Sequence, residues 1–144
     1  MPLDVREVRS DAEINDVFPL MAQLRDRVAR DTFLAEVRRQ QRDGYRLFAG
    51  FDAGRLVALA GVRRSHTMSR GEHLFVDDLV TVDDSRGKGY GTALMKWLAS
   101  RAAEDGVTKM YLDSRATAKG FYAKIGFTFI TATPAWIDVD TLRS

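Results

Sequence analysis

The chain has 144 residues, 45% hydrophobic and 29% charged, which suits one domain with its own core and excludes a disordered or collagen-like chain. It has no cysteine and only two histidines, His66 and His73, so disulfides, thiolate zinc sites, iron–sulfur clusters, a cysteine nucleophile and a three-histidine metal site are all excluded. Lys and Arg number 22 against 20 Asp and Glu, a net charge of +2 that gives no reason to expect the basic face of a nucleic-acid binder.

No apolar run approaches the ~18 residues of a membrane span, and residues 1–10 lack the apolar core of a signal peptide. A cytoplasmic protein is expected, with neither a membrane nor a nucleic-acid partner.

Residues 4–9 alternate loosely and fit an edge strand. Ser10, with Glu13 three positions on, forms a capping box, and Ile14, Val17, Phe18 and Met21 follow at helical spacing. Asp31 or Thr32 opens a second helix, with Phe33, Leu34 and Val37 inward and Arg38, Arg39 and Arg42 outward, and Gly44 stops it. The arginines read either as a solvated face or as a basic edge for an anionic ligand group.

The period then changes. Residues 45–52 and 55–64 read as an antiparallel hairpin turning at Ala53-Gly54. Residues 65–72 are polar and read as a loop flanked by His66 and His73, expected as surface residues rather than lining a cleft. Residues 73–82 form the next strand, with Asp77 and Asp78 inside it.

A glycine-rich basic loop over 85–91 leads into a helix over 92–105. Its Leu94, Met95, Leu98 and Ala102 make one apolar stripe, and Gly106 caps the end. Residues 109–113 are a short strand and 116–125 a helix ended by Gly126. Strands are expected over 127–131 and 136–139. With no linker or repeat, residues 1–144 are expected to form a single mixed α/β domain around one sheet.

The chemistry concentrates in Arg86-Gly87-Lys88-Gly89-Tyr90-Gly91. Glycines between a strand and a helix let backbone N–H groups converge, the helix N-terminus adds partial positive charge, and Arg86 and Lys88 add full charges. That is a phosphate cradle in physical terms, although a bare glycine turn has the same composition. Gly89 follows Lys88, so the loop is no Walker A motif, and its glycine spacing misses the dinucleotide fingerprint.

The segment Arg86-x-x-Gly89-x-Gly91 resembles the acetyl-CoA pyrophosphate motif of the GCN5-related N-acetyltransferase (GNAT) superfamily. The flanks agree: Val76-Asp77-Asp78-Leu79-Val80-Thr81 before the loop, Ala93-Leu94-Met95 after it, then Leu112-Asp113-Ser114 and Phe121-Tyr122-Ala123-Lys124-Ile125-Gly126-Phe127. The resemblance covers roughly residues 74–130 and extends to residues 1–73 only in element order.

It implies a mostly antiparallel mixed sheet of six to seven strands flanked by four helices. It also implies transfer of acetyl from acetyl-CoA, as co-substrate and without a metal, directly to a primary amine of a small molecule or protein. The alternative is a GNAT-like module that binds acetyl-CoA without catalysis. A homodimer through Trp136 or the C-terminal strand is compatible with the sequence.

Residue by residue, the resemblance assigns the thioester and pantetheine amides to backbone at Leu79, Val80 and Thr81. It assigns the pyrophosphate to Gly87, Lys88, Gly89, Tyr90, Gly91 and Thr92, with Arg86 supporting the loop or its phosphates. Ser114 stands near the usual pantetheine-contacting asparagine. Tyr122 matches the tyrosine that protonates the departing thiolate, though a tyrosine there also serves as packing.

Asp77 and Asp78 are candidates for the group that takes the ammonium proton, or for a strand-edge salt bridge. Strand alternation allows one of them to face the cleft, and Asp78 is preferred as nearer the expected bulge.

Overall fold

The computed structural model describes residues 2–83 and 87–143, and chain contacts divide it into two compact units, Met1–Asp113 and Ser114–Ser144. The first unit contains β1 (Asp4–Val8), α1 (Asp11–Leu24), α2 (Arg30–Gln41), β2 (Tyr45–Asp52), β3 (Arg55–Thr67), β4 (Gly71–Thr81), α3 (Tyr90–Glu104) and β5 (Met110–Leu112). The second contains a 3₁₀ turn (Ala116–Ala118), α4 (Lys119–Ile125) and α5 (Val139–Arg143).

The strands form one sheet in the order β1-β2-β3-β4-β5. The first four are antiparallel neighbours, and β5 pairs parallel to β4. The mixed, mostly antiparallel sheet matches the expectation. The described residues hold five strands and five α-helices rather than six to seven strands and four helices.

Period-two alternation in β2 builds the layers. Tyr45, Leu47 and Ala49 join Ile14, Val17, Leu20 and Met21 of α1 and Phe33 and Val37 of α2 in one buried cluster. Phe48, between them in sequence, stacks on Trp97 of α3 with ring centroids 5.2 Å apart.

The capping box starts α1 as expected: Glu13 N–H donates to Ser10 Oγ at 3.1 Å, and Ser10 N–H donates to Glu13 Oε1 at 2.8 Å. On the β1–β2 pair, Arg46 closes both Nε and Nη2 on Glu7, at 2.9 Å each. That fork, with Arg9 also donating to Glu7 at 2.7 Å, holds the Glu7 carboxyl down to about 2.

Three expectations are corrected. The loop over 65–72 is largely strand: Ser65, His66 and Thr67 pair with His73, Glu72 and Gly71. A backbone ladder needs no apolar side chain, and Arg64 bridges the two strands to Glu72 at 2.8 Å. His73 is buried rather than on the surface, its Nδ1 2.9 Å from Gly71 O and its ring edge-on to Tyr111.

Neither 127–131 nor 136–139 forms a strand, and Val139 instead begins α5. Alternating apolar residues make a strand only where a backbone ladder completes them, and among the described residues these segments join none. Phe129, Ile130, Trp136 and Ile137 are exposed.

Candidate active site

The site begins at an irregularity in β4. Gly61 pairs with Asp78, but the next residue of β3, Val62, pairs with Val76. Asp77 is therefore the extra residue of a β-bulge, which suspends the alternation that would have sent the two aspartates to opposite faces. Both carboxylates line one cleft of about 500 Å³, together with Met21, Arg25, Phe33, Gln40, Tyr45 and Arg63. The expectation that only one faces the cleft is thus corrected.

Their surroundings differ. Both oxygens of Asp78 are taken: Arg25 Nε donates to Oδ1 at 2.8 Å, and the Tyr45 hydroxyl donates to Oδ2 at 2.6 Å. Arg25 Nη2 also donates to the Asp77 carbonyl at 2.7 Å, clamping the bulge. Burial pushes the Tyr45 phenol far above its ordinary value, so it remains a donor.

Asp77 receives only Arg63 Nε, on Oδ2 at 2.6 Å, and its Oδ1 has no protein partner among the described residues. Burial raises its carboxyl above the ordinary value despite Arg63.

Tyr45, Arg25, Arg63 and Gln40 were not singled out from sequence. They come from β2, the C-cap of α1, β3 and α2, and no local motif marks them.

The same bulge ends the β4–β5 ladder, whose last pair is Val76 with Leu112. Val82 N–H donates to Val57 O at 3.0 Å, which fixes the phase of the β3–β4 ladder. Antiparallel alternation then turns the N–H and C=O of Leu79 and Thr81 away from β3, on the side β5 has left, while those of Val80 face β3. Leu79, Val80 and Thr81 are half-buried.

Beyond β4, Arg86 lies outside the described residues. Gly87 and Gly89 take the left-handed conformation, with φ of 84° and 77°. The positions where their Cβ atoms would stand face open space. Gly89 caps the 15-residue α3 with no side-chain hydrogen bond, so no cap side chain stands over the first turn of the helix. The Tyr90 hydroxyl donates to Asp52 and ties the helix start to the β2–β3 turn. Lys88 is exposed. Glycines with open space at their Cβ positions ahead of a helix N-terminus are compatible with an anionic group such as a pyrophosphate.

In the second unit, Tyr122 is half-buried and edge-on to Phe121 and Phe127, at 5.1 and 5.5 Å. Phe121 is the more exposed of the adjacent pair, so it does not take over the packing role. Burial raises the Tyr122 phenol, which stays protonated through neutral pH. The Ser114 hydroxyl donates to Arg115 O at 2.8 Å.

Of the α2 arginines, Arg38 pairs with Asp11 at 2.6 Å, and Arg39 and Arg42 are exposed. His66 is also exposed and does not line the cleft.

Residues 12–127 match the family described as Acetyltransferase (GNAT) family. The chain belongs to the GNAT acetyltransferase family. As a GNAT enzyme it is an acyl-CoA-dependent N-acetyltransferase, and the family's acyl donor is acetyl-CoA.

It is 32% identical over 131 residues to the uncharacterized N-acetyltransferase YhdJ of Bacillus subtilis (strain 168), covering 88% of this chain and 92% of that one. It is 30% identical over 96 residues to a glucosamine 6-phosphate N-acetyltransferase of Trypanosoma brucei brucei, covering 65% of each. An aminoglycoside N-acetyltransferase crystallised with CoA shares the GNAT fold at a TM-score of 0.81 and 16% identity, covering 95% of both chains.

Among the described residues there is no cluster of three or more metal-ligating side chains. No described helix is long and apolar enough to cross a membrane.

Proposed function

We propose that the chain moves the acetyl group of acetyl-CoA directly to a primary amine held in the cleft beside the β4 bulge. Asp77 is the group that receives the amine. The observation that carries this reading is the asymmetry of the aspartates that line the cleft: Asp78 is saturated by Arg25 and Tyr45, while one oxygen of Asp77 has no protein partner among the described residues.

An acceptor amine arrives as ammonium and pairs with Asp77 Oδ1. Burial raises the Asp77 carboxyl, narrowing the gap between its proton affinity and that of the amine, so the proton leaves more readily, to Asp77 or through it to water. The freed nitrogen lone pair forms the new C–N bond at the thioester carbonyl, and the C–S bond breaks.

Backbone groups of Leu79 and Thr81 hold the pantetheine amides and polarise the carbonyl. The first-turn N–H groups of α3, with Gly87, Lys88 and Gly89, hold the pyrophosphate. Tyr122, protonated at neutral pH, gives its phenolic proton to the departing thiolate. Its assignment rests on the Phe121-to-Phe127 motif and on that protonation. Ser114 keeps its hydroxyl bonded locally, and its role toward pantetheine is proposed from position in the motif alone.

The acceptor is a small-molecule or protein amine. The relative that acts on glucosamine 6-phosphate supports a small polar one. A single catalytic domain over residues 1–144 is part of the proposal, supported by the family match running through both units.

The test is CoA release over a panel of primary amines, comparing wild type with Tyr122→Phe. Removing a general acid is expected to lower kcat by ~10²-fold, with acetyl-CoA affinity unchanged. Equal turnover in the variant would remove Tyr122 from the mechanism. Acetyl-CoA binding with no turnover on any amine would favour the non-catalytic reading.

A further inference from the structure

Several arginines that pair with side-chain carboxylates in this fold use the same edge of the guanidinium, Nε and Nη2, in different ways, and Arg46, Arg64 and Arg63 show the range. Arg46 closes both nitrogens on Glu7. Arg64 directs both to one oxygen of Glu72. Arg63 divides them: Nε goes to Asp77 Oδ2 at 2.6 Å, but Nη2 goes to Gln40 Oε1 at 2.9 Å.

Gln40 is itself oriented. Its Nε2 donates to Glu36 Oε1 at 3.1 Å, one turn earlier on α2. A carboxylate only accepts and a guanidinium only donates, so the amide has one satisfactory orientation, nitrogen to Glu36 and oxygen to Arg63. All four residues line the cleft.

We propose that Gln40 is a positioning residue that keeps Arg63 from closing its fork on Asp77, and thereby keeps Asp77 Oδ1 open for the acceptor ammonium. This rests on the acetyl-transfer reading for its purpose, but not for its test. Without an acceptor at position 40, Arg63 Nη2 becomes free to take Oδ1. Asp77 then acquires the kind of fork that Arg46 makes on Glu7, whose carboxyl lies well below the ordinary value with Arg46 as the first cause and Arg9 as a further one. The acceptor would meet a carboxylate already occupied.

The other charges near Asp77 are Asp78, Arg25 and Arg27, with the Tyr45 phenol beside Asp78. The substitutions below touch none of them.

The experiment is a carbon-detected NMR titration of the Asp77 carboxyl in the full chain, with no acetyl-CoA or amine present and Asp77→Asn as the assignment control. Wild type should titrate above the ordinary carboxylate value. Gln40→Met keeps the length and helix propensity of the side chain without its acceptor, and its midpoint should fall by at least about one unit. The double variant Gln40→Glu with Glu36→Gln rebuilds the chain with its polarity reversed, and its midpoint should stay near that of wild type.

With an active amine, Gln40→Met should raise KM for the amine more than it lowers kcat. A midpoint in Gln40→Met equal to or above that of wild type would overturn the proposal. So would a double variant that titrates like Gln40→Met. Because no cofactor or acceptor takes part in the titration, failure of the acetyl-transfer reading leaves its outcome unaffected.

Discussion

Gly61→Ala is expected to be among the most damaging single-methyl additions in the first unit. The added Cβ would overlap the Tyr45 hydroxyl and ring, reaching within 2.6 Å of Cε1. Tyr45 has little room to yield, since it is 4% exposed and packed in the α1–α2 cluster. Its ring crosses β3 over Gly61 to reach Asp78 on the next strand, so any retreat breaks the bond to Oδ2.

Overpacking and one lost buried hydrogen bond together come to about 2–4 kcal/mol. Denaturant unfolding should show that loss, and amine acetylation should fall with it because the bulge loses one of its braces. A loss below about 0.5 kcal/mol, which is ordinary for surface substitutions, would mean that Tyr45 does not fix the bulge.

Asp77→Asn is the second large effect, and it should act on rate rather than on folding. Losing the group proposed to receive the ammonium proton is expected to lower kcat/KM for the amine by ~10²-fold, with acetyl-CoA binding unchanged. Because the Asp77 carboxyl is raised, the wild-type acid limb should lie above the ordinary carboxylate value, with rate falling as pH falls through it. Asp77→Asn should remove that limb.

The native state holds the Asp77 proton to higher pH than the unfolded chain does. Stability from this group therefore falls as pH rises between the ordinary and raised values, and the asparagine variant should lack that dependence. Asp78→Asn should behave in the opposite way. An amide offers one acceptor where Arg25 and the Tyr45 hydroxyl need two, so it should lose stability first. A wild-type rate and pH profile in Asp77→Asn would assign the proton elsewhere.

What sequence revealed and what it hid divide along physical lines. The capping box at Ser10, the hairpin at Ala53-Gly54, the glycine loop before α3 and the family itself are carried by neighbouring residues, where spacing is the signal. The bulge at Asp77 is not. It is a mismatch between two strands, visible only once Gly61 and Val62 are set against Asp78 and Val76. Strand alternation applied to β4 alone therefore separated two carboxylates that share one cleft.

The same holds for Arg25, Gln40, Tyr45 and Arg63, which four different elements bring to the bulge. The polar strand ends around His66 and His73 read as a loop because the ladder there is held by backbone pairing. The two C-terminal segments read as strands because their side chains alternate, although the described backbone gives them no ladder.

The turn before α3 is the proposed seat of the acetyl-CoA pyrophosphate. The direct measurement is thermal unfolding with and without acetyl-CoA, wild type beside Gly89→Glu. Gly89 has φ of 77° with open space around its Cβ position, so the glutamate strains the turn without a clash and puts a negative charge beside the α3 N-terminus. Ligand at a hundredfold over its dissociation constant should stabilise wild type by ~2.7 kcal/mol, and the folded variant should show no such gain. No gain in wild type at millimolar acetyl-CoA, or an equal gain in Gly89→Glu, would contradict the assignment of this turn.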